Sequence, residues 1–102
     1  MIIVNRKTIS ITHVGDSYSA GNGAGSYEKS EPRAYRSSKN WGSEYTKWLK
    51  DEGIASTYLN LAYSGYTTNN ILEDSYIEKV PTNTDLILMT IGGNDVDFGG
   101  IV

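Results

Sequence analysis

The stretch that most restricts what this chain can become is Asp85-Leu86-Ile87-Leu88-Met89-Thr90-Ile91, which stops abruptly at Gly92-Gly93-Asn94-Asp95. It is the most apolar run in the sequence and too short for a helix. Apolar side chains at successive positions predict a strand buried on both faces, and such strands belong to parallel sheets covered by helices on both sides. Two other segments have the same form. Ile9-Ser10-Ile11-Thr12-His13-Val14, rich in β-branched residues, runs into Gly15-Asp16-Ser17; residues 54–62, with Ile54, Tyr58, Leu59 and Leu61, run into Tyr63-Ser64-Gly65.

Between the strands the period changes. From Asn40, the residues Trp41, Tyr45, Trp48 and Leu49 recur at helical spacing, with Lys47, Lys50, Asp51 and Glu52 opposite and Gly53 as a stop. The aromatic stripe reads as core. A second helix is expected after Thr67 or Thr68, carrying Ile71, Leu72, Tyr76 and Val80 and ending at Pro81. Gly21 to Lys39 reads as one long irregular loop of the kind that binds or covers ligands. Its glycines match neither the Walker spacing nor the dinucleotide pattern, so a phosphate cradle ranks below a plain flexible loop. Strand, helix, strand, helix, strand is the parallel α/β order, and it places all three glycine-bearing exits on one edge of the sheet. Ligands bind at that edge in open α/β sheets.

At 102 residues the chain is one small domain. Its 9 Lys+Arg against 12 Asp+Glu give a net charge of −3, and hence no electrostatic reason to expect nucleic acid or an anionic membrane as partner. The absence of cysteine excludes disulfides and thiolate metal sites. The apolar start Met1-Ile2-Ile3-Val4 gives way to Asn5-Arg6-Lys7, too short for a signal-peptide core. No run approaches the ~18 apolar residues that span a bilayer. As written, the product reads as cytoplasmic, or as secreted if the true start lies upstream.

Ser17, Gly65 and Asn94 stand at the three exits, which suits acyl transfer. Ser17 can serve as nucleophile, while the backbone N–H of Ser17, the backbone N–H of Gly65 and the Asn94 amide can donate to the oxygen that becomes negative. Taken alone, Gly15-Asp16-Ser17 also reads as an ordinary turn.

Three blocks in order, Gly15-Asp16-Ser17-Tyr18-Ser19-Ala20-Gly21, Asn60-Leu61-Ala62-Tyr63-Ser64-Gly65-Tyr66-Thr67-Thr68 and Ile91-Gly92-Gly93-Asn94-Asp95, resemble the SGNH (GDSL) hydrolase family. The bacterial esterase/lipase branch is nearest, with Arg36-Ser37 as its Arg-Ser pair. The resemblance covers roughly positions 9 to 98. It implies a three-layer α/β/α flavodoxin-like fold with a parallel sheet, incomplete at its C-terminal side. It also implies Ser17 as nucleophile, Gly65 and Asn94 in the oxyanion hole, Asp16 and Asp95 as turn-shaping residues, and no cofactor or metal. The substrate would be a small-molecule ester: a lipid, an acylated sugar or a short-chain ester.

Two departures accompany it. Ala34 and Tyr63 stand where secreted relatives carry a disulfide. The family's late Asp-x-x-His block, which carries the general base, is not met before Val102, and the single histidine, His13, is separated from Ser17 by roughly 13 Å of strand. His13 is therefore expected to be a packed strand residue rather than the base, which must come within about 3 Å of the hydroxyl. The expectation is that residues 1–102 form the N-terminal part of one hydrolase domain, from a truncated frame, a gene fragment or a split gene, with weak or no activity alone. A binding module of the same fold is the alternative, and a flavin or nucleotide binder the weaker third reading.

Overall fold

The computed structural model describes residues 8–96. The apolar start (residues 1–4) and the end (residues 97–102) lie outside them. Three parallel strands, β1 (Ile9–Gly15), β2 (Ser56–Asn60) and β3 (Leu86–Thr90), form one sheet in the order β2-β1-β3. Ile11 lies opposite Tyr58 on one side and Leu86 on the other, and His13 opposite Asn60 and Leu88. The chain steps from β1 to one neighbour and then across β1 to the other. Right-handed crossovers in opposite directions place the two helical connections on opposite faces. The parallel α/β arrangement expected from the order of strands and helices is thus what the chain forms.

The first connection ends in α2 (Trp41–Asp51), capped by Asn40, whose side-chain oxygen accepts the Ser43 N–H at 2.9 Å. Its buried residues are Gly42, Thr46 and Leu49, an i, i+4, i+7 row. The aromatic stripe is not the core face expected: Trp41, Tyr45 and Trp48 are all exposed, Trp48 by 54%. The reason is Gly42. A Cβ there would sit 2.3 Å from His13 Nδ1, so the helix meets the sheet along its smallest side chain and the bulky aromatics are turned to the flank.

The second connection is also not the single helix expected. It is two short ones, α3 (Thr68–Leu72) and α4 (Asp74–Ile77), broken at Glu73, whose ψ of 134° is extended. Tyr76 is the one buried residue of the pair, and its hydroxyl donates to the Leu61 carbonyl at 2.6 Å.

Burial along the strands also departs from expectation. β1 is buried from Ile11 to Gly15, whereas β3, the most apolar, alternates between half-buried and exposed, with Ile87 54% and Met89 51% exposed. β3 is an edge strand: among the described residues it has no strand neighbour on its outer side. The long loop is likewise more ordered than expected, with a 3-10 turn at Pro32–Ala34 and an antiparallel bridge between Tyr27 and Ser37.

Candidate active site

Ser17 is the first residue of α1 (Ser17–Ala20), a single turn that opens directly off β1. Two residues set that turn. Gly15 takes φ 135°, and a Cβ there would lie 2.2 Å from the Thr90 carbonyl oxygen and 2.6 Å from Ser19 Oγ, so only glycine fits. Asp16, 2% exposed, is the N-cap: its carboxylate accepts the Tyr18 N–H at 3.0 Å.

A polar chain ties this turn to β3. The Thr90 hydroxyl donates to Asp16 Oδ1 at 3.2 Å, so it accepts from Ser19 Oγ at 2.5 Å, while Ser19 Oγ in turn accepts the Thr90 N–H at 2.9 Å. Each hydroxyl donates once, and the chain ends on the carboxylate. Sequence reasoning missed Ser19 and Thr90. The available signal was that a hydroxyl at the last position of an otherwise apolar strand needs a partner at the exit.

The second exit is held to the first by its backbone, with Tyr63 N–H donating to the Gly15 carbonyl at 2.9 Å. Arg36 reaches the same segment, its Nε donating to the Ala62 carbonyl at 2.7 Å and its Nη2 to the Leu61 carbonyl at 3.3 Å. Gly65 has φ 90°, and the direction a Cβ would take meets nothing within 4 Å. The tyrosines around it stack, Tyr63 on Tyr66 with ring centres 4.5 Å apart.

The third exit, a 3-10 turn at Gly93–Asp95, is fastened to the second twice. Asn94 Nδ2 donates to the Tyr66 carbonyl at 2.9 Å, one residue beyond Gly65. An amide nitrogen carries two hydrogens, so this bond orients the group without exhausting it. Asp95 accepts the Thr68 N–H at 2.8 Å and also the Thr68 hydroxyl, and these bonds hold its carboxyl below the usual carboxylate range. The three exits are thus joined by hydrogen bonds, through Asn94 itself and through Asp16 and Tyr66, the chain neighbours of Ser17 and Gly65. Among the described residues no group of three or more His, Cys, Asp or Glu has metal-holding geometry.

These exits have recognisable counterparts. Residues 13–101 match the GDSL-like lipase/acylhydrolase family. The chain belongs to that family. A lipase of Streptomyces rimosus is 39% identical over 90 residues, covering 83% of this chain and 30% of the lipase. The crystal structure of phospholipase A1 from Streptomyces albidoflavus NA297 superposes with a TM-score of 0.71 at 32% identity, over 91% of this chain and 37% of that one. AlinE4, an SGNH-hydrolase family esterase, shares the fold at a TM-score of 0.62 and 24% identity. The chain therefore spans about 30% of the length of the curated relatives it matches.

The single histidine, His13, lies within β1. It is wholly buried beneath α2, its Nδ1 2.7 Å from the Tyr58 hydroxyl and its ring edge-on to Trp41 at 4.4 Å. The Tyr58 hydroxyl donates to Asn40 Oδ1 at 2.8 Å, so His13 Nδ1 carries the proton and donates to Tyr58. Burial lowers the His13 pKa to about 4, against a smaller upward pull from Asn40, so the ring is neutral near pH 7.

Proposed function

We propose that the chain carries the nucleophile and oxyanion half of a carboxylic ester hydrolase. Ser17 Oγ attacks the ester carbonyl carbon, and its proton passes to a base other than His13. The carbonyl oxygen, now negative, takes hydrogen bonds from the Ser17 and Gly65 N–H groups and from the Asn94 amide. Collapse of this adduct breaks the bond to the alkoxy leaving group, and water later releases the acid from the acyl-enzyme. The observation that supports this reading best is the direct fastening of the three exits to one another, which gives a serine and separate donors one shared frame.

The base is the part this reading must find outside β1. Without it Ser17 keeps the high pKa of an alcohol, and oxyanion donors with binding supply only a residual rate. Small imidazole added to the buffer offers a substitute. Turnover of a p-nitrophenyl ester by this chain is expected to rise with imidazole above the buffer reaction, with the increment lost in Ser17→Ala. An increment unchanged in Ser17→Ala would refute the assignment.

A further inference from the structure

A concavity lies beside the second exit, and none of Ser17, Gly65 or Asn94 lines it. It is a cavity of about 440 Å³ between the loop around residues 26–38 and the outer side of β2. That is within the size range of small-molecule sites, roughly 300–1,000 Å³. We propose that it is a binding site for an uncharged carbohydrate unit.

The lining chooses the ligand class. Arg36 and Glu28 are the charged groups of the wall, and they neutralise each other at 3.4 Å. Arg36 Nε and one N–H of Nη2 donate to the Ala62 and Leu61 carbonyls, which holds the guanidinium in place beside Glu28. An anionic ligand would find no uncommitted cation there. What the wall offers instead is hydroxyls, such as those of Ser38 and Ser43, beside the apolar surfaces of Tyr27 and Leu59. A pyranose ring carries that combination: a rim of neutral donors and acceptors around an apolar face.

The wall is also built before any ligand arrives. Tyr27 is pinned by the Gly23 N–H on its hydroxyl at 2.7 Å and by edge contact with Tyr35, ring centres 5.7 Å apart. The loop is closed by Glu28 N–H to the Arg36 carbonyl and by Ser37 N–H to the Ala20 carbonyl, both at 2.7 Å. Preorganisation of this kind lowers the ordering cost of binding.

The test is titration of the chain with methyl β-D-glucopyranoside, followed by amide chemical shifts. Saturable shifts in the millimolar range are expected at residues 26–28, 38, 43 and 59–61, with Gly65 and Gly92 unmoved. Two cavity-filling variants at exposed positions, Leu59→Trp and Ser38→Trp, should each weaken binding at least tenfold. Ser17→Ala should bind as the parent does, which keeps this site separate from the ester chemistry. No saturable shift up to tens of millimolar, equal binding by both Trp variants, or tighter binding of glucuronate or of an acidic peptide than of the neutral glycoside would each overturn the proposal.

Discussion

β1 and β3 lie side by side in the same sheet, and their burial is the reverse of their composition. β3 is Leu-Ile-Leu-Met-Thr and half exposed; β1 contains Ser10, Thr12 and His13 and is buried over its last five residues. Among the described residues burial follows place in the sheet rather than hydropathy: β1 has a strand on each side and α2 over His13, whereas β3 has a strand on one side only. Polar groups in that position then have to be paired. Thr12 bonds to Thr84 at 2.8 Å and His13 Nδ1 to Tyr58, while His13 Nε2 has no hydrogen-bond partner among the described residues. The exits repeat the contrast. Gly15 is wedged against Thr90 and Ser19, whereas Gly92, with φ 113°, would place a Cβ in open space.

The sharpest way to break this comparison is at the two glycines. Gly15→Ala sets a methyl group against backbone that cannot yield and adds left-handed strain. It should cost about 3 kcal/mol or more. Gly92→Ala carries the conformational strain alone, about 1–2 kcal/mol. Urea midpoints of the two variants measure the difference, and equal losses would mean that the β1 turn is not wedged.

Next in size are two chemically identical truncations. Ile11→Ala, at a site 1% exposed, should cost about 3 kcal/mol. Ile87→Ala, at a site 54% exposed, should cost less than about 1 kcal/mol. Equal costs would mean that β3 is covered as β1 is.

Smaller again is a pH effect confined to β1. The folded pKa of His13, about 4, lies below its unfolded value of 6.5, so the unfolded chain binds the extra proton between them. The stability that His13 contributes is fully present above about pH 6.5 and declines as pH falls through about 4, by a few kcal/mol at most. Denaturation midpoints at pH 7 and pH 5 should therefore differ more in the parent than in His13→Asn, whose amide can still donate to Tyr58.

What the sequence disclosed, and what it hid, follows the same line. The three strands, their small-residue exits and the order of the elements were legible because each depends on short-range pattern: β-branched runs ended by glycine, and an Asn or Thr cap before a helix. The exposure of Ile87 and Met89 was not legible, because it depends on what packs over the faces of β3 rather than on its own residues. Nor was the turned-out Trp41, Tyr45 and Trp48 stripe, since that depends on Gly42 meeting His13 across 29 residues of chain. The nearness of the exits that carry Ser17, Gly65 and Asn94 was legible from their positions after strands. The bonds linking Ser19, Thr90 and Asp16 were not, because these residues meet only once β1 and β3 pair, and the one hint was a hydroxyl at the end of an apolar strand.

The central claim is that the turn after β1 presents Ser17 as a nucleophile within the frame of the other two exits. Its most direct measurement is the reaction of the 102-residue chain with a fluorophosphonate probe, read by intact mass and peptide mapping. The account predicts one adduct, on Ser17, forming slowly, accelerated by imidazole, and slowed about a hundredfold by Asn94→Ala. An adduct spread over other hydroxyls, or a rate on Ser17 indifferent to Asn94, would contradict it.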